Sequence, residues 1–250
     1  MQKPKYSELT KNNGNGILTK RINEVNGEIV KDASQCLMAT GSVVTKEISN
    51  LLEFYENLKK LKQNQAISLG VSEYAPCGII TKGNERDGFI PRTKDYFKLL
   101  PVPMIMAFDY DVPDGQEALR LDDVVVNLYG VLPEARGCEL LVLGSTSSGV
   151  YIDNGLVPEA MNGGCHIYMI VDNGLMIPEI GRTVAIRSWL QGQGHFKLTK
   201  DGKLLARSLF DETIYSPERL LFEAAPILGA GLKQLPRAFK YIEGGVLKCL

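Results

Sequence analysis

Met104-Ile105-Met106-Ala107-Phe108-Asp109-Tyr110-Asp111 is an apolar run that turns acidic at its end. Read as a β-strand it alternates faces, so Asp109 and Asp111 point one way and Tyr110 the other, into the core. Two carboxylates on one face at the end of an apolar strand are costly unless a cation sits between them. An isolated D-x-D also ends ordinary strands in an acidic turn, and Asp114 and Gly115 continue this one. Asp211 changes the weighing, because it closes a second apolar run that begins at Leu204. Three acids at the ends of two strands suit one or two octahedral cations of the magnesium kind, which take carboxylate oxygens and keep waters for substrate phosphates. Two such ions stabilise the attacking and leaving oxygens of an in-line phosphoryl displacement, so the pattern suggests nucleotidyl transfer.

Between the two acidic strands lies a second kind of chemistry. Ser145-Thr146-Ser147-Ser148-Gly149 offers hydroxyl and backbone N–H donors of the type that meets phosphate oxygens, although such runs are also plain loops. His166, two residues past Gly164, opens the strand-like run to Val171 and could donate to a triphosphate or serve as a structural histidine. Arg207, four residues before Asp211, and Arg219, eight after it, are placed to supply positive charge to phosphates. His195, within Gly192-Gln193-Gly194-His195, is a further candidate.

Composition narrows the class. The chain has 250 residues, 44% hydrophobic and 23% charged, which is ordinary for a folded, soluble protein. No segment approaches the roughly 18 consecutive apolar residues of a membrane span, and the polar N-terminus has no apolar signal region, so a cytoplasmic protein without membrane contact is expected. The five cysteines are scattered with no C-x-x-C pair, which speaks against a zinc or disulfide framework. A net charge of −1 predicts a weak, salt-sensitive hold on any polyanion. Local basic groups, among them Arg92 with Lys94 and the set Lys233, Arg237 and Lys240, read as solvated faces that could hold a polymer only locally.

Along the chain, residues 1–16 read as a polar, flexible lead-in, and strands follow near 17–22 and 27–30. Apolar positions at intervals of three and four predict a helix over 46–61, with Ser42 and Thr45 as candidate caps. Strands at 66–71 and 78–81 precede a glycine-bearing break at 82–88. Then come strand 104–110, helix 121–129, strand 139–143, a long loop 145–164, strand 165–171, helix 178–190 and strands at 195–198 and 204–211. The whole predicts a mixed α+β architecture in which one sheet presents polar residues at its strand ends. Residues 244–250 read as a tail, the start of a linker in a longer protein.

The order of motifs, Asp-x-Asp after an apolar strand, Ser-x-Gly with a nearby Gly-x-His, then apolar-Asp followed by arginine, resembles the archaeo-eukaryotic primase superfamily of primase-polymerases. Ile90-Pro91-Arg92-Thr93-Lys94 ahead of the acidic strand, and the run from Leu205 through Arg207, Asp211, Tyr215, Pro217 and Arg219 to Pro226, are similar to mobile-element and phage members that carry such a domain ahead of a helicase. The likeness covers residues 88–235 best. It implies an α+β fold: an N-terminal α/β part (17–88) packed on a catalytic core (89–243) with a sheet of the RNA-recognition-motif kind. It implies Asp109, Asp111 and Asp211 as catalytic ligands of Mg2+ or Mn2+ in a two-metal site. It also implies nucleotide contacts from Ser147 or Ser148, His166 and Arg219, to which Arg207 is added from its spacing to Asp211; in the mechanism this suggests, Arg92 and Lys94 face the template. Nucleoside triphosphates, a single-stranded DNA template and a helicase domain or subunit are the implied partners. One departure stands out, since the family's serine and histidine lie close in sequence whereas here Val150 to Asn162 intervene.

Other readings compete. A haloacid-dehalogenase-type phosphatase also starts from D-x-D, but wants Gly-Thr or Gly-Val after the second acid where this chain has Val112 and Pro113. A metal-dependent glycosyltransferase uses D-x-D without explaining the run from Asp211 to Arg219. A non-catalytic module that stacks single-stranded nucleic acid predicts exposed aromatics and has no need of the acids.

Overall fold

Seven residues near the N-terminus, Lys5–Lys11, form the strand on which the fold turns. In the computed structural model, which describes residues 2–12, 16–113, 115–158, 163–199 and 201–249, this segment is β1, central in a nine-stranded sheet. Of the readings above, Asp114, Met1 and Asn13–Asn15 of the lead-in, positions 159–162 of the long loop and Leu250 of the tail lie outside the described residues. The chain continues as β2 (Arg21–Val25), β3 (Glu28–Asp32), β4 (Gly41–Glu47), α1 (Leu51–Leu58), β5 (Gln65–Ser68), β6 (Cys77–Ile80), β7 (Phe89–Pro91) and β8 (Met104–Tyr110). It then runs through α2 (Leu121–Val131), β9 (Leu140–Gly144), β10 (Val150–Ile152), β11 (Cys165–Val171), α3 (Ile177–Leu190), β12 (His195–Leu198), β13 (Leu204–Arg207), β14 (Ile227–Leu228), β15 (Leu232–Gln234) and β16 (Phe239–Ile242). The architecture is mixed α+β.

The sheet order is β16-β9-β11-β8-β1-β4-β6-β7, with β5 also on β1. β1 pairs along its length with β4 on one edge; on the other it pairs with β5 and, through the single parallel register Lys5↔Met104, with β8. That joint ties the N-terminal strands to the four strands β16, β9, β11 and β8. The reading of a flexible lead-in is therefore corrected for Lys5–Lys11. Only Tyr6 and Leu9 are apolar and buried in β1; buried Ser7 is accommodated because its hydroxyl donates to the Gly70 carbonyl at 2.8 Å. The division expected at residue 88 falls inside the sheet, since β6 and β7 pair in parallel across it. The C-terminal tail is also structured: Leu247 is buried, and its N–H donates to Ile170 O at 2.8 Å.

Alternation along β8 sorts its side chains to two helical layers. Met104, Met106, Phe108 and Tyr110 pack with β9 and β11 residues against α2 and α3. Ile105 and Ala107 face the other way, with Tyr168, Leu141 and Leu143, against Leu51, Phe54 and Leu58 of α1. Helix α1 starts later than its periodicity predicts because residues 41–47 are claimed by β1. Asn50 is its cap, accepting from Glu53 N–H at 2.8 Å, while Glu53 accepts from Ser49 N–H at 2.6 Å, so Ser42 and Thr45 lie in the strand instead. The strand expected over 204–211 stops at Arg207. The expected loop 145–164 includes β10, which pairs with β15 in a separate two-stranded sheet. Among the described residues no helix is long and apolar enough to cross a membrane.

Candidate functional site

Register brings three strand ends to one place. Cys165 of β11 faces Tyr110 of β8 on one side and Gly144 of β9 on the other, so the acidic turn, the serine turn and the start of β11 share one end of the sheet. Consecutive glycines make that approach possible. A Cβ on Gly164 would lie 2.1 Å from Tyr110 O, and one on Gly163 would lie 2.9 Å from Ser148 Cβ. The insertion that separates serine from histidine in sequence thus leaves the two motifs adjacent in space.

Asp211 reaches the same end from another direction. Phe210 packs on Phe108 with ring centroids 5.2 Å apart, and Asp211 N–H donates to Asp109 O at 2.9 Å. Its carboxylate accepts from Thr213 N–H at 3.0 Å and Thr213 Oγ1 at 2.9 Å, and meets Arg207 Nη1 at 3.3 Å. The result is that ligand atoms of Asp109, Asp111 and Asp211 all lie within 4.8 Å of one another. The three acids singled out in the sequence form one cluster.

The two acids of the D-x-D are not equivalent. Burial raises the Asp109 carboxyl, but the charge and hydrogen bond of His166 outweigh it and hold the group below the ordinary range. Asp111 is pushed up by burial and by Asp109, with Asp211 adding to the repulsion and Lys20 opposing it. Asp111 is therefore the carboxylate short of positive charge. An all-oxygen donor set with that deficit fits a hard divalent cation such as Mg2+ or Mn2+.

His166 sits opposite Asp109 in the β8–β11 register, and its Nε2 lies 3.2 Å from Asp109 Oδ1. Its Nδ1 bonds Glu223, whose side chain is fully buried and also accepts from Tyr168 Oη and Arg237 Nη2. Burial opposes a charged imidazole here, yet Glu223 and Asp109 raise His166 to about 10. Both ring nitrogens are thus engaged, and the triphosphate contact expected of His166 gives way to holding Asp109. The serines also differ from expectation. Ser148 is fully buried, and its hydroxyl and N–H both donate to Ser145 O, at 2.7 and 2.9 Å; Ser147 Oγ lies 3.4 Å from Ser145 Oγ. These hydroxyls close the turn rather than face outward.

Arg207 lies at the acids, as its spacing suggested, although the strand ends at it. Arg219 stands elsewhere: it is exposed and repels Arg92, which burial and this repulsion push down against the pull of Glu218. Arg92 Nη1 donates to Glu218 O, which fixes this pair to the segment that runs along β5, where Leu221 N–H donates to Ile67 O at 2.8 Å. Lys94 lines a separate cleft of about 500 Å3 with Lys98, Arg182 and Tyr215. Asp111 and Asp211 instead open on a cleft of about 490 Å3 between the end of β8 and the β12–β13 hairpin, lined also by His195, Phe196, Lys197 and Arg207. Lys20 and Lys31 also feel the acids electrostatically: Lys31 is pushed down by burial and by Lys20 and pulled up by Asp111, while Lys20 pulls Asp109 and Asp111 down.

Sequence reasoning missed Glu223, Tyr168, Lys20 and Lys31, and read Arg237 as part of a solvated basic group. One signal was available for Glu223, a lone acid inside Leu220-Leu221-Phe222-Glu223-Ala224-Ala225, where burial without a partner is costly. Comparison with family models, curated proteins and solved structures returns no match.

Proposed function

We propose that this chain is a metal-dependent, template-directed nucleotidyltransferase of the archaeo-eukaryotic primase type, a DNA primase or DNA polymerase serving the replication of a phage, plasmid or other mobile element. The observation that carries the reading is the convergence of Asp109, Asp111 and Asp211 to within 4.8 Å, with Asp111 and Asp211 lining a cleft that Lys197 and Arg207 also wall. In this reading β16, β9, β11 and β8 are the catalytic sheet of the RNA-recognition-motif kind and the strands beyond β1 are the N-terminal module. The protein works in the cytoplasm on nucleoside triphosphates and a single-stranded DNA template, beside a helicase domain or subunit.

The three carboxylates would hold Mg2+ or Mn2+ as a two-metal site. Bound there, the ions supply charge stabilisation to the attacking 3′-oxygen and to the pyrophosphate leaving group of an in-line transfer. The remaining work belongs to the chain. His166, itself held by Glu223, keeps Asp109 oriented and ionised. Arg207 orients Asp211 and presents a guanidinium to the cleft, where a polyphosphate needs positive charge. Lys20, just before β2, and Lys31, on β3, are within electrostatic reach of Asp111 and suit phosphate or template backbone.

The test is initiation and extension on single-stranded DNA with labelled nucleotides and Mg2+ or Mn2+, comparing the native chain with Asp109→Ala/Asp111→Ala. Synthesis by the native chain that is lost in the variant is the expected result. Equal synthesis by both would remove the assignment, and labelled product without a primer would separate primase from polymerase.

A further inference from the structure

Helix α3 turns one apolar side to the core and another to solvent. Ile177, Val184 and Ala185 are buried on the inner side. The outer stripe, Pro178, Arg182, Ile186 and Leu190, recurs every fourth residue and is exposed throughout, Ile186 by 54% and Leu190 by 82%. A surface helix ordinarily presents charged and polar residues on that side, and within this stripe Arg182 is the only charged one.

The outer stripe borders a groove made of two depressions. One, of about 500 Å3, is lined by Leu175 and Pro178 together with Lys94, Lys98 and Pro217. The other, of about 380 Å3, is lined by Ile186, Trp189 and Leu190, and the two share Arg182 and Glu212. The groove therefore follows α3, whose 14 residues span about 21 Å. Its charge is unevenly placed. Arg182 is already paired, with Glu179 at 3.1 Å, whereas Lys94 and Lys98 are exposed and meet no acid among the described residues. The Leu175 end is thus apolar and positive, and the Leu190 end is apolar.

An occupant must bring an apolar edge as long as the helix and negative charge at one end. An amphipathic α-helix with apolar residues every third or fourth position and acids near one terminus meets both demands. A polynucleotide meets only the second: Leu175, Ile186 and Leu190 offer bases no ring, and the Trp189 ring already packs on Phe196 at 5.1 Å between centroids. We propose that the α3 groove is the docking site for an acidic amphipathic helix of a partner protein. Lys94 and Lys98 receive its acids, and Ile186, Trp189 and Leu190 receive its apolar stripe. Lys94, expected at the template, is thereby assigned to a protein contact. The inference goes beyond the acid cleft and holds whether or not the chain transfers nucleotides.

Trp189 is the chain's single tryptophan and lines the groove, so its emission reports occupancy. The probes are tryptophan-free helical peptides as long as α3, selected on the full chain from a displayed library. Their leucine stripe is fixed and the remaining positions vary among Glu, Lys, Gln and Ala. Binders should carry Glu toward one end, shift Trp189 emission to the blue and lose about tenfold in affinity on Ile186→Lys. Lys94→Glu/Lys98→Glu should weaken them about fivefold, and exchanging the peptide's Glu for Lys should restore binding to that variant. All three positions are exposed, so the variants should keep the native Tm. A library without binders, or binders indifferent to Ile186→Lys, would overturn the proposal, as would binders with no acidic preference. Displacement of the peptide by oligothymidylate would assign the groove to nucleic acid. Dimerisation in sedimentation that Ile186→Lys abolishes would assign it to a second copy. Either of these results overturns the partner helix.

Discussion

Glu223→Gln removes one negative charge while keeping the side chain's shape, at the point where His166, Tyr168 and Arg237 converge. Glu223 is fully buried, so no water is at hand to replace the lost carboxylate, and the Arg237 guanidinium is left beside a neutral amide. Breaking a buried ion pair from one side costs about 3–5 kcal/mol. For a chain of 250 residues each kcal/mol is worth about 2–4 °C, so Tm should fall by about 6–20 °C. A pH signature accompanies the loss. In the fold, burial works against the His166 proton, but Glu223 and Asp109 raise the group from 6.5 to about 10. Between those values the folded chain holds a proton that the unfolded chain has released, so this contribution is complete below about pH 6.5 and fades as pH rises toward 10. Without the Glu223 charge the window narrows and the slope of stability against pH flattens. Urea unfolding followed by far-UV circular dichroism in EDTA, near neutral pH and again near the top of that window, measures both effects. A loss below about 1 kcal/mol, the worth of one ordinary hydrogen bond, together with the native pH slope, would refute the network as drawn.

Two further outcomes follow from the same geometry. Asp111→Asn should leave the metal-free Tm unchanged or slightly higher, because partial desolvation and Asp109 raise this carboxyl, an effect that solvent screens at so exposed a side chain; the Tm gained on adding Mn2+ should disappear, and a fall in EDTA would instead reveal a structural partner. Gly164→Ala places a Cβ 2.1 Å from Tyr110 O, so β8 must shift at its acidic end, costing about 1–3 kcal/mol and weakening Mn2+ binding; calorimetry of both quantities checks this, and native Mn2+ affinity would show that the glycine pair does not set the acid cluster.

Legibility in the sequence tracked how local the cause was. β8, β9, β11, α2 and α3 could be read because each buries a periodic apolar face, and periodicity is written in neighbouring residues. β1 could not, since a polar segment becomes a central strand only when two other strands satisfy its backbone and Gly70 receives the Ser7 hydroxyl. Ser147 and Ser148 looked like phosphate donors because composition does not say which way a hydroxyl points, and here the turn consumes them. Glu223 resembled any other acid until residues 166, 168 and 237 were brought to it.

By itself the sequence determined the α+β class, the acidic strand end and the identity of the three acids, all of which follow from alternation and the cost of burying charge near apolar residues. Only the tertiary structure decided that Asp211 meets Asp109 and Asp111, that His166 turns both nitrogens inward to acids, and that Arg207 rather than Arg219 stands at the cluster. Each of these depends on strand register and on backbone contacts between residues far apart in the chain, and a register is chosen by the whole sheet rather than by any one segment.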